Sequence, residues 1–309
     1  MAKEIELKLS AVSVDSSAII DWCQKQFADP IISQLANAYF DTPDQALSQQ
    51  KVALRIRSYD GSHTMTLKTA GEAAGGLHQR NEYDWPLVKP ELDVAELTDK
   101  LPNIDWQQVQ PQFTTNFKRY AWLISFQHSE IELVMDVGGV EANNQVDAIN
   151  EIELELKSGL ASELYDLATR LCRQFALLPN NVSKAQRGYR LLSGDDSLAP
   201  CAEESVAAQL NHFTNALESF SYSSKLAAWQ QAAISLANLR MLSITKATSL
   251  QGDCIELLKL CQPILSILPA TIAEQSKLAQ VKNQHQRLLA TPALGQTLIS
   301  IAQGLYDED

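Results

Sequence analysis

The stretch MAKEIELKLS (residues 1–10) puts Glu4, Glu6 and Lys8 on every second position with Ile5, Leu7 and Leu9 between them, and NEIELELKSG (residues 150–159) repeats the pattern with Glu151, Glu153 and Glu155. Side chains two apart on a strand share a face and sit about 6.6–6.8 Å apart. Each stretch therefore reads as a strand with a file of charge on one side and a file of Ile and Leu on the other. Carboxylates gathered in this way repel one another unless a cation lies between them, and hard oxygen ligands of this kind suit Mg²⁺ or Mn²⁺. Facing inward, the files imply a metal site; facing outward, they are the solvated side of half-buried strands. Periodicity alone does not choose between these orientations.

The period-two pattern continues to about residue 192. It predicts strands over Ile5–Leu9, Leu35–Phe40, Val52–Tyr59, His63–Thr69, Leu77–Pro86, Phe113–Phe126, Ile131–Val137 and Ile149–Lys157, with turn signals at Asp60-Gly61 and Gly138-Gly139. Eight antiparallel strands of this length imply a closed or nearly closed barrel. Helical patterns interrupt them at Ser16–Phe27, with Asp15 as N-cap, at Leu92–Leu101 and at Ala161–Leu177. After a polar stretch with Gly and Pro, Val206, Leu210, Phe213, Leu217 and Phe220 recur at helical spacing, and helical runs continue to Leu305. The expected fold is α+β: a β-barrel domain with flanking helices over residues 1–195, a linker at 196–205, and a small all-α domain of four or five helices at 206–309.

Cations sit on the strands between the two acidic ones. Arg55 and Arg57 share a face, Lys68 ends TMTLK, Arg80 and Glu82 share a face, and Arg119, Lys184 and Arg187 follow; Asp136 closes the strand before the second acidic file. Arginine presents several fixed donors to phosphate oxygens and lysine a compact charge. Cations beside carboxylates that hold a metal make a container for an oligophosphate.

Composition narrows the alternatives. The net charge of −12 speaks against nucleic acid held by a general basic surface. No run approaches the roughly 20 apolar residues of a membrane span, and no secretory leader pattern opens the chain, so a cytoplasmic protein without a membrane partner is expected. The five cysteines form no CxxC pair and read as reduced structural thiols. AGEAAGGLHQR lacks the Lys and Ser or Thr of a P-loop and lies between strands, and the five histidines show no metal spacing.

At these residues the chain resembles the CYTH superfamily, the triphosphate tunnel metalloenzymes. ExExK at Glu4, Glu6 and Lys8, YFDTPD (39–44), LRIR (54–57), TLK (66–68), MDVG (135–138) and EIELELK (151–157) stand in the family's order. The resemblance implies an eight-stranded antiparallel tunnel with an inward polar face. It also implies one or two Mg²⁺ or Mn²⁺ ions on Glu4, Glu6, Glu153 and Glu155 with Asp136 nearby, a catalytic set of Glu4, Glu6, Lys8, Glu153 and Glu155, and a triphosphate held by Lys8, Arg55, Arg57, Lys68, Arg80, Arg119, Lys184 and Arg187. The activity implied is hydrolysis of inorganic tripolyphosphate. Thiamine triphosphatase and class IV adenylate cyclase are the enzymatic alternatives, and a non-catalytic polyphosphate-binding module is the alternative from another class. Residues 206–309 resemble the start of a CHAD domain in helical character and position, but the segment is short and carries few Lys and Arg, and its protein partner is not indicated.

Overall fold

A computed structural model describes residues 2–245 and 249–308. Among these residues, ten strands and ten helices follow one another as β1 (Ala2–Ser10), α1 (Ser16–Gln26), β2 (Ile31–Asp41), α2 (Ala46–Gln49), β3 (Ala53–Tyr59), β4 (Ser62–Lys68), β5 (Glu72–Ala74), β6 (Leu77–Leu87), α3 (Val94–Thr98), β7 (Gln110–Phe126), β8 (Ser129–Ala142), β9 (Gln145–Ser158), α4 (Ser162–Gln174), β10 (Leu178–Pro179), α5 (Lys184–Ser193), α6 (Val206–Ser223), α7 (Leu226–Thr245), α8 (Gln251–Leu265), α9 (Glu274–Leu289) and α10 (Pro292–Glu308). Eight strands close into an antiparallel ring in the order β1-β9-β8-β7-β2-β3-β4-β6, with β6 returning to β1. The short β5 and β10 attach to β6 and β1 outside the ring.

Alternation explains how the ring is filled. Leu7, Leu9, Ile152 and Leu154 turn outward into an apolar layer formed with α1, α4, α6 and α10, while Leu54, Ile56, Met65 and Leu67 pack under α2 and α3. Each of these side chains is at most 2 % exposed, and burying one contributes about 1.5–3 kcal/mol. The intervening positions therefore face the lumen, and those are the charged ones.

Turn chemistry fixes the hairpins. Asp60 and Gly61 take positive φ (48° and 74°) between β3 and β4, as their sequence predicts. The expected turn at Gly138-Gly139 is not there; β8 runs straight through it, and the chain reverses at Asn143 and Asn144, both with positive φ (50° and 59°). Gly138 is needed for close approach instead, because a Cβ there would meet the carbonyl oxygen of Asn116 at 2.2 Å. Strands β8 and β9 are longer than alternation alone suggests.

The second half is helical, and α6 to α10 share one continuous core with the outer face of β1, β8 and β9. Residues 195–204 form no helix or strand but are tied down: Asp196 pairs with Lys225, and the Ala199 carbonyl lies 2.8 Å from His212 Nε2. No single helix among the described residues is long and apolar enough to cross a membrane; α9 and α10 pass that test only together, bent by 70°.

His285 lies inside this helical half. Trp229 Nε1, which can only donate, points at His285 Nδ1 at 3.3 Å, so that nitrogen must accept and the ring is neutral; Nε2 then donates to Ser221 Oγ at 2.8 Å. Burial pulls its pKa down to about 4 from an ordinary 6.5. The unfolded chain thus takes up a proton that the folded one refuses, and stability falls as pH drops from 6.5 toward 4, by up to about 3 kcal/mol at the lower end. In urea melts across that window, His285→Gln should lose correspondingly less stability than the parent chain.

Candidate active site

The lumen of the ring is a cavity of about 600 Å³ lined by eight cationic and seven carboxylate side chains. Such charges survive burial only when paired. Strand register supplies the pairs directly: Glu4 stands opposite Arg80, Lys8 opposite Glu153, Lys68 opposite Glu82, and Arg119 opposite Asp136.

Each register pair is realised as contact. Arg80 gives Nε to Glu4 at 2.9 Å and Nη2 to Glu6 at 2.6 Å, and Lys68 Nζ lies 2.8 Å from Glu4 and 2.9 Å from Glu82. Lys8 Nζ is 3.1 Å from Glu153, and Arg119 grips both oxygens of Asp136 at 2.8 Å while its Nη2 reaches Glu153 at 2.7 Å. Burial raises the carboxyl pKa values of Glu6 and Glu153, but the surrounding Lys and Arg charges outweigh it and hold both below the ordinary range. Burial lowers Lys8, and Glu6, Glu153 and Glu151 more than restore it.

Two departures from this pairing matter most. Glu6 stands opposite Glu155, a like-charge pair of the kind that destabilises a sheet. Glu155 is pushed up by burial and by the negative charges of Glu4 and Glu132. Glu4, Glu6, Glu153 and Glu155 all line the cavity and offer the hard oxygen donors a divalent cation takes, each now paired with Lys or Arg, while the described carboxylates close enough to share one ion are Asp136, Glu151 and Glu153.

Across the lumen the imbalance has the opposite sign. Arg55 stands opposite Tyr39 and Arg57 opposite Asn37, so neither has an acidic register partner on β2. Arg55 reaches Glu82 only at 3.7 Å, and Arg57 donates Nε to Asn37 Oδ1 at 2.9 Å, with no ion pair to a carboxylate among the described residues. Burial, together with the charges of Arg55 and Arg119, drives the Arg57 pKa down to about 9. A buried guanidinium beside two others, without an anion, marks where an anion belongs.

Helix α5 adds a cation from outside the sheet. Its first residue, Lys184, sends Nζ to Asp136 at 2.7 Å, Glu151 at 2.5 Å and Glu153 at 2.9 Å, filling a carboxylate cluster whose oxygens lie within 4.8 Å of one another. The helix is set by a Ser183–Gln186 capping box, by Tyr189 donating to Asp41 at 2.7 Å, and by Gly188, whose missing side chain leaves room for the Phe113 ring.

Of the residues singled out in the sequence, Glu4, Glu6, Lys8, Arg55, Arg57, Lys68, Arg80, Arg119, Glu153, Glu155 and Lys184 line this one cavity. Asp136 sits behind Arg119 and Lys184, fully buried. Arg187 does not reach the lumen: it pairs with Asp147 at 2.8 Å and donates to the Ala148 carbonyl at 2.5 Å on the far side of Glu151. Tyr39, Asp84, Glu132 and Lys157 also line the cavity. Period two could have found Asp84 behind Arg80 and Glu82, Glu132 in the file of Asp136, and Lys157 after Glu155.

Residues 2–189 match the family model of the CYTH domain, well over half of the chain. The chain belongs to the CYTH family. A curated relative, an inorganic triphosphatase from Haemophilus influenzae, is 39 % identical over 198 residues; the alignment covers 62 % of this chain and 55 % of the relative, so the chain spans about half of that protein's length. Two solved structures are also similar to this CYTH chain. One, from Hippeastrum, is an adenylyl cyclase candidate described as having a dominant triphosphatase activity (17 % identity, 64 % of this chain, 98 % of that chain, TM-score 0.48). The other, from Bacillus halodurans, is an adenylate cyclase candidate (24 % identity, 60 % of this chain, 98 % of that chain, TM-score 0.43).

The depth of pairing in the CYTH cavity can be read from stability. Lys184→Met takes the one close cation from buried Glu151 and leaves Asp136 and Glu153 to Arg119 and Lys8, and should lower the unfolding free energy by about 3–5 kcal/mol. Lys157→Met breaks pairs in which the lysine is 36 % exposed, and should cost under about 1 kcal/mol. Urea titration of the two variants compares them directly.

Proposed function

We propose that this chain hydrolyses inorganic tripolyphosphate to pyrophosphate and orthophosphate inside the barrel, with the help of Mg²⁺ or Mn²⁺. The observation that carries the reading is the Arg55, Arg57 and Arg119 group, in which Arg57 lacks a carboxylate partner and faces a wall rich in carboxylates across the lumen. A nearly neutral cage with its charges segregated in this way suits an anion and a cation that enter together. The likeness to the Haemophilus enzyme named inorganic triphosphatase supports the choice of a small substrate.

Glu4, Glu6, Glu153 and Glu155 would hold the metal, which when bound neutralises phosphate charge and lowers the pKa of a water. The chain's own residues supply the rest. Arg55, Arg57, Arg119, Lys8, Lys68, Arg80 and Lys184 would hold the phosphate oxygens. Their present carboxylate partners keep these cations extended into the lumen, so a triphosphate exchanges existing ion pairs for new ones without a large rearrangement of side chains. Stretching the ligand between fixed donors orients its terminal phosphorus for in-line attack by water; the bond to the bridging oxygen breaks and pyrophosphate leaves.

Asp136 supports this array by fixing Arg119 and Lys184, and Arg187 supports it by holding α5 against Asp147. Residues 1–195 would be the catalytic unit. After the linker at 196–205, the helices of 206–309 would form a short, divergent CHAD-like module that packs against the barrel; most of its Leu, Trp and Phe side chains lie in the shared core.

Orthophosphate release from tripolyphosphate should require Mg²⁺ or Mn²⁺ and stop with chelator. Glu6→Gln should lower turnover by at least about a hundredfold, the scale of losing a ligand that orients a metal. Arg57→Met should weaken tripolyphosphate binding. If neither ion supports release, or if ATP or thiamine triphosphate is turned over faster than tripolyphosphate, the assignment fails.

A further inference from the structure

Helix α7 has two apolar faces. One, with Trp229, Ala232, Leu236 and Leu239, is buried, and the helices that α7 packs on are α6 and α8. The other, formed by Ala227, Gln230, Ile234, Ala237, Met241 and Ile244, is exposed from end to end; Ile234, Met241 and Ile244 are 54 %, 57 % and 50 % exposed. Apolar residues scattered singly over a surface need no explanation, but these six follow one another at steps of 3, 4, 3, 4 and 3. That is the a/d spacing of a coiled-coil seam, which another helix fills.

Charge narrows the choice of that helix. Arg240 is the one charged residue among the twenty of α7, and it stands beside the seam instead of in it. The helical half is neutral as a whole: residues 206–309 hold seven Lys or Arg and seven Asp or Glu, so the net charge of −12 belongs to residues 1–205. A strongly charged partner finds no complement on such a face. A helix that lies on a membrane surface carries several Lys and Arg beside its apolar stripe, and α7 does not. A copy of the same neutral face meets no repulsion.

The seam is also complementary to itself. Its midpoint, between Ile234 and Ala237, is the midpoint of the helix Leu226–Thr245. Two copies of α7 laid antiparallel about a two-fold axis at that point set Ile234 against Ala237 of the second copy, Met241 against Gln230, and Ile244 against Ala227. Each isoleucine then meets an alanine, and the whole length of the helix is used. At 1.5 Å per residue the two Arg240 positions stay about 13.5 Å apart along the axis. An open groove of about 690 Å³, lined by Ala227 and Gln230 together with Leu268, Ile272 and Leu278, lies where the end of the second α7 would come.

We propose that this face of α7 joins two copies of the chain in a homodimer, as an antiparallel helix pair centred between Ile234 and Ala237. One helix from each chain makes a small interface, so the pair dissociates on dilution. No residue of the barrel lumen takes part, and the dimer stands or falls independently of the reaction proposed there.

Sedimentation equilibrium over a series of concentrations tests it. The full chain, 34.2 kDa alone, should rise to twice that mass as concentration increases. Ala237→Glu sets the carboxylates of both copies beside the axis and should hold the chain at single mass, as should Ala237→Lys. Position 237 is exposed, so the thermal midpoint of either variant should match that of the dilute parent. Mixing the two variants should restore the double mass, because the 237 side chains of the two copies are then neighbours of opposite sign. A parent chain of single mass at every concentration overturns the proposal. So does a dimer that survives Ala237→Glu, and so does a mixture of folded variants that stays at single mass.

Discussion

A charge taken out of water must meet its opposite, and in this barrel the meeting is arranged by strand register. Glu4 with Arg80, Lys8 with Glu153, Lys68 with Glu82 and Arg119 with Asp136 are cross-strand neighbours before they are ion pairs. A shift of one residue in any of these ladders would turn leucines into the lumen and carry charges into the apolar layer outside. The same constraint makes the exceptions informative. Where the register sets Glu6 against Glu155, their cations, Arg80 and Lys157, come from other positions than the facing one, and where it sets Arg57 against an asparagine no carboxylate pairs with the guanidinium among the described residues.

Turning the polar face inward leaves the outside of the ring apolar, and the rest of the chain covers it. Helices α2 and α3 shield β3 and β4, while α1, α4 and the helical half shield β1, β8 and β9. The contact between halves is polar as well as apolar. Arg190 at the far end of α5 holds both Asp147 on β9 and Glu218 on α6, and its guanidinium lies 3.8 Å from the Tyr222 ring centroid. The helix that brings Lys184 to the lumen is thus braced by the helical half.

Much of this was legible because period two is a strong signal. All eight ring strands fall where polar and apolar residues alternate, and the helical half falls where that spacing changes. Orientation was not legible from spacing, since an inside-out barrel and a solvated sheet have the same alternation; the ordered motifs of the resemblance decided it. Helix α5 is marked at its two ends by Ser183, Gln186 and Gly194, but its ten residues carry too short a period of apolar positions to stand out from the cations in SKAQRGY. Arg187 shows the cost. It lies three residues after Lys184 on the same side of α5, and the rise of about 4.5 Å carries it past Glu151 to Asp147. Gly138-Gly139 misleads for a related reason: glycine there answers a need for close approach between strands, which sequence cannot distinguish from a need for a turn.

The place of β1 in the ring has a consequence for how the chain assembles. Its two flanking strands begin at residues 77 and 145, so the strand that precedes all the others in the chain pairs with partners made much later. Contacts of such long separation are the slow ones in folding. During synthesis from the N-terminal end, Glu4 and Glu6 have no strand partner until β6 brings Arg80, and Lys8 meets Glu153 only when β9 closes the ring. The alternation that later builds a charged lumen also keeps this waiting strand too polar to aggregate, and barrel closure becomes the event that creates the site.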